Sequence, residues 1–83
     1  MAKEIERIQT GVRMEKRLYQ VLKALAETLD LSLGDLLEGI VLHAFEGKAP
    51  FGSPSLEKIR ALRKVYGLEL KASDSHRLIE KPQ

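Results

Sequence analysis

The sequence predicts a mainly α fold entered by a single N-terminal strand, and three observations carry that prediction. Two consecutive segments repeat apolar residues at spacings of one, three and four, the signature of one helix face. A third segment of the same kind follows a break containing proline and glycine. Ahead of all three, "RIQTGVRM" (Arg7 to Met14) changes side at every residue, with a period of two.

The strand comes first. Ile8, Thr10, Val12 and Met14 fall on one face, and Arg7, Gln9, Gly11 and Arg13 on the other. Every following segment is helical, so the strand has no obvious mate in its own chain. Even a paired two-stranded sheet is marginal. Two chains supplying one strand each would form an antiparallel ribbon about a two-fold axis, closing both edges. Ile8, Val12 and Met14 would then lie over the helices, and Arg7, Gln9 and Arg13 would face outward twice. An ordinary hairpin with the weakly alternating "LELKA" (Leu68 to Ala72) is the plainer alternative, and it leaves the outward side chains merely solvated.

The first helix is expected over Glu15 to Leu29, with Leu18, Val21, Leu22, Leu25, Ala26 and Leu29 on one face and no Gly or Pro within it. In "DLSLGD", Ser32 and Asp35 match a capping box: the hydroxyl accepts from first-turn amides while the acid reaches back. A second helix therefore starts at Leu33 or Gly34, carries Leu36, Leu37, Ile40, Val41, Ala44 and Phe45, and closes at Gly47. Gly39 inside it costs ~1 kcal/mol against Ala and suggests a close helix crossing. "GKAPFGSP" (Gly47 to Pro54) reads as a linker. A third helix runs from Ser55 to Tyr66, with Leu56, Ile59, Leu62, Val65 and Tyr66 on one side and Lys58, Arg60, Arg63 and Lys64 largely on the other. The resulting organisation is residues 1–47, a linker at 48–54, and a C-terminal helix and tail at 55–83.

At 83 residues with 43% apolar and 31% charged side chains, the chain is one small folded domain near the size at which a single core is hard to close. A second subunit would help. The absence of cysteine removes disulfides, thiolate metal sites and thiol nucleophiles. No apolar run is long enough for a signal peptide or membrane span, so the expectation is a cytoplasmic protein without membrane contact. Only His43 and His76 are available as imidazole ligands and no ligand spacing surrounds them, so no metal or other cofactor is expected. "SDSH" (Ser73 to His76) places serine, aspartate and histidine side by side. Neighbours in a tail cannot hold triad geometry, and "GKAPFGSP" lacks phosphate-loop spacing, so no enzyme and no catalytic residue is expected.

Net charge is only +2, but its distribution is uneven. Residues 1–17 carry five basic and three acidic side chains, residues 18–47 one and five, and residues 48–66 five and one. Basic charge therefore gathers at the N-terminal arm and after Gly47.

The order strand, helix, short turn, helix in about forty residues resembles the ribbon-helix-helix family of dimeric DNA-binding proteins. The resemblance covers roughly Glu6 to Gly47 and is carried by "VRMEKRLYQVLKALAETLDLSLGDLLEGIVLHAF": an Arg just before the first helix, a leucine framework within it, and "LDLSLGDLL" with Ser32 opening the second. It implies a homodimer that inserts its β-ribbon into the major groove of double-stranded DNA, most simply as a transcriptional repressor. Arg13 would fork onto guanine, Gln9 would bridge adenine, and Arg7 would complete the outward set. The amides around Ser32 and Leu33, at the positive end of the second helix, would anchor phosphate, with Lys16 and Arg17 nearby. Ile8, Val12, Met14, Leu36 and Ile40 would form the dimer interface. Gly11 departs from the family pattern, because the central outward position has no side chain, so a tandem operator, shape readout or a second DNA contact is expected to contribute. The alternative function is an antitoxin or adaptor whose residues 48–83 bind a protein partner. Assembly beyond the dimer is left open.

Overall fold

The computed structural model describes residues 2–82. It contains three α-helices, α1 (Lys16–Thr28), α2 (Leu33–Phe45) and α3 (Ser53–Tyr66), followed by a single 3₁₀ turn at Ala72–Asp74. The mainly α class is as expected, and among the described residues there is no strand. Residues 2–14 lead into α1 as a non-helical arm.

Each helix begins and ends for a local chemical reason. The Glu15 carboxylate caps α1 by accepting from the Leu18 amide at 2.8 Å. At the α2 start the Ser32 hydroxyl accepts from the Asp35 amide at 3.1 Å, which is half of the expected capping box. The other half is not formed, because the Asp35 carboxylate lies toward Arg7, 3.6 Å from its guanidinium. Helix α3 begins at Ser53, two residues before the expected Ser55: Gly52 is the N-cap and Pro54 sits in the first turn, where its missing N–H has no helical partner to lose.

All three helices close with the same pair of backbone bonds and a residue in the left-handed region. After α1, Leu31 N–H donates to Ala26 O and Asp30, at φ 58°, donates to Glu27 O. After α2, Lys48 donates to His43 O and Gly47, at φ 71°, to Ala44 O. After α3, Leu68 donates to Arg63 O and Gly67, at φ 68°, to Lys64 O.

Packing centres on α1, which lies against both α2 and α3. Leu25, Ala26 and Leu36 form the buried cluster, with Leu22, Leu29, Ile40, Phe51, Ile59 and Leu62 partly buried around it. Val21 and Leu68 are buried as well. Residues on both sides of the 48–54 segment thus share one core, and the outer limits of the expected division, residues 1 and 83, lie outside the described residues.

"LELKA" is irregular rather than a short strand. The Leu68 amide is used in closing α3, and the Arg63 guanidinium donates to the Leu70 carbonyl at 2.8 Å, so these backbone groups are not available to a ladder. The hairpin alternative for the N-terminal arm therefore does not form within the chain.

Candidate nucleic-acid interface

The arm brings the expected reading residues to the surface. Ile8 and Val12 are 83% and 76% exposed, and Met14 is partly exposed, so the apolar side of the arm is largely uncovered by the described residues. Gln9 is exposed and has no hydrogen-bond partner among the described residues. A side chain at Gly11 would meet nothing within 4 Å, so the glycine is not required by crowding inside the chain.

Both arginines of the arm are paired with acids. Arg7 forks onto Glu38 of α2, with Nε and Nη2 each donating to one carboxylate oxygen at 2.9 Å. The hydrogen bond from Arg7 holds the Glu38 carboxyl below the usual glutamate range, and the same contact raises the already basic guanidinium. Arg13 pairs with Glu80 of the C-terminal tail. Both pairs are well exposed, and exposed ion pairs exchange readily for better partners.

The expected phosphate-anchoring residues separate into two groups. Ser32 is the N-cap of α2 and Leu33 its first residue, and the Ser32 hydroxyl is already engaged as the cap. Lys16 and Arg17 open α1. Lys16 is exposed with no acidic partner within 4.0 Å among the described residues. Arg17 reaches across to α3, where Nη1 donates to the Gly67 carbonyl at 2.9 Å. It compensates the negative end of that helix. Glu15 beside them titrates below the ordinary glutamate range: burial pushes it up, but the amides of Arg17 and Leu18 and the Arg17 charge outweigh that push.

The expected interface residues also divide. Leu36 is buried within its own chain at 4% exposure, and Ile40 packs against the same cluster, so neither presents much open surface. The open apolar side of α2 lies elsewhere. Val41 and Phe45 sit about 140° and 180° round the helix from Leu36. They are 42% and 83% exposed, and Leu42 is 63% exposed. The signal for this was in the sequence: apolar residues of "LGDLLEGIVLHAF" occupy most of the helix circumference, which an intrachain stripe does not need. The close crossing expected at Gly39 is not found among the described residues; a Cβ there would have open space. His43 bonds locally, its Nδ1 donating to the Gly39 carbonyl at 2.7 Å.

Two shallow grooves mark the surface. One of about 190 Å³ runs between α2 and the 50–55 segment, over Leu36, Gly39, Ile40, His43 and Phe51. The larger, about 440 Å³, is lined by Arg60, Arg63, Lys64, Gly67, Leu68 and Glu69 at the end of α3. No three His, Asp or Glu side chains gather as a metal-ligand set among the described residues, and no helix there is long and apolar enough to cross a membrane. Comparison of the chain with protein-family models, with curated proteins and with solved structures finds no match in any of the three.

Proposed function

We propose that the protein binds double-stranded DNA as a homodimer, pairing its arm with that of a second copy and presenting the resulting ribbon to the major groove, most simply as a transcriptional repressor. The observation that carries this reading is the uncovered apolar surface. Ile8 and Val12 on the arm and Val41, Leu42 and Phe45 on α2 are large apolar side chains left exposed by the described residues, and two alternating arms give the first pair a cover. The same pairing turns Arg7, Gln9 and Arg13 to the opposite face. Arg7 then exchanges Glu38, and Arg13 exchanges Glu80, for base edges or phosphate. Ser32, Leu33 and Lys16 stand at helix starts where phosphate contacts fix register without reading sequence.

Against the alternative of a partner-binding C-terminal segment, Ile59 and Leu62 of α3 pack on the core and Leu68 is buried, so the inner face of this segment is occupied, while Val65, Leu78 and Ile79 of the same segment stay exposed. The test is Arg13→Ala against a duplex selected from a random-sequence pool. A loss of ~1–3 kcal/mol with relaxed preference at one base pair per half-site is expected. Unchanged affinity and preference in a variant that remains a folded dimer would refute the ribbon readout.

A further inference from the structure

We infer that the end of α3 carries a second DNA-contacting surface, in which Arg60 and Lys64 grip the phosphodiester backbone beside the ribbon. This rests on the DNA-binding reading above and adds to it a contact outside the strand-helix-helix portion. Helix α3 carries four basic residues, Lys58, Arg60, Arg63 and Lys64, and one acid, Glu57. None of the four has a carboxylate within 4.0 Å among the described residues, whereas Arg7, Arg13 and Lys48 are all ion-paired.

Helix capping accounts for only part of this charge. A helix C-terminus presents the equivalent of about half a negative charge. Here it already has the Arg17 guanidinium on the Gly67 carbonyl, and Arg63 is held by the Leu70 carbonyl. Arg60 and Lys64 are left over. They lie four residues apart on one side of α3 and line the larger groove, whose three basic residues, Arg60, Arg63 and Lys64, outnumber its one acid, Glu69. Arg17 and Arg63, each fixed by one N–H bond, keep further donors and add positive potential alongside.

Position ties this cluster to the arm. Arg17 is in the first turn of α1, directly after the arm, and its side chain lies on the last turn of α3. The cluster therefore flanks the point where the arm enters the helices. A ribbon lying in a major groove ~12 Å wide has phosphates along both of its sides, within reach of such flanking cations. The contact is independent of sequence, which suits a ribbon whose central outward residue, Gly11, has no side chain to read with.

The test compares Arg60→Gln/Lys64→Gln with Lys58→Gln, which lies about 200° round the helix from Arg60. Binding to a labelled mixed-sequence DNA duplex is measured across a salt series, with helicity and sedimentation checked for each variant. The double variant is expected to stay folded and dimeric and to lower the slope of log K against log salt by roughly 2 for each residue removed from both protomers. Lys58→Gln is expected to leave the slope close to the parent's. Equal slopes for the parent and the double variant overturn the inference while leaving the ribbon reading intact, provided Arg13→Ala still weakens binding to a selected duplex. Equal losses from Lys58→Gln and the double variant also overturn it, since overall charge then suffices. A parent that binds neither duplex overturns both.

Discussion

Phe45 offers the sharpest test of the uncovered apolar face, because the chain alone gives it almost nothing to do. It is 83% exposed at the last position of α2. An aromatic side chain offers ~200 Å² of surface, so about 165 Å² is open, and full burial at ~25 cal/mol/Å² corresponds to ~4 kcal/mol per protomer. A partner that covers half of it still contributes ~4 kcal/mol to a symmetric dimer, or about three decades in Kd. Phe45→Ala is therefore expected to leave the helical content of the dissociated chain unchanged, since Ala is at least as good a helix former. Its dimer dissociation constant should rise by about two to three orders of magnitude, read by sedimentation over a concentration series. Leu25→Ala is the contrasting control: at 1% exposure within the cluster of Ala26 and Leu36, it should cost ~2–5 kcal/mol of folding itself. The same dimer Kd for Phe45→Ala and the parent would refute the assignment of this face to a second copy.

Two further expectations concern the chain itself. Exchanging residue types at the left-handed positions should move stability in opposite directions: Asp30→Gly relieves a side chain held at φ 58° and gains up to ~1 kcal/mol, while Gly67→Ala at φ 68° loses ~1–2 kcal/mol, both by thermal unfolding. A Cβ at Gly67 meets Arg17 only at ordinary contact distance, so a loss there is conformational rather than steric. On acidification, Glu15 and Glu38 contribute stability that is fully present above the ordinary glutamate pKa of ~4.3 and is lost as pH falls through their lowered folded values. Glu15→Gln should thus lose less in melting temperature than the parent between about pH 5 and pH 3. An identical loss in both would show that the cap carries no charge-dependent stability.

The helices were legible because their causes are local. The apolar spacing in "LYQVLKALAETL", the serine before "LGDLL" and the glycines at 47 and 67 place α1, α2 and the end of α3 within a residue or so. The start of α3 lies two residues before the expected one because Pro54, within the expected linker, stands in the first turn, where a proline opens a helix. "LELKA" shows the limit of a period-two pattern: of Leu68, Leu70 and Ala72 on its apolar side only Leu68 is buried, and the segment forms no ladder. The acids that meet the arm, Glu38 and Glu80, are 31 and 67 residues away from their arginines, and no spacing rule links side chains at that range. The same holds for Arg17, which the resemblance places near a phosphate. Antiparallel packing of α1 and α3 turns it into a cap for another helix.

The placement of α1 has a consequence for how the molecule opens. Helices α2 and α3 each lie against α1 and make no close backbone approach to one another among the described residues. Opening of either outer helix leaves the other's main packing in place, so native-state hydrogen exchange should resolve two separate sub-global openings. The amides around Val21 and Leu25 should exchange last, because they are released only when both outer helices have come away.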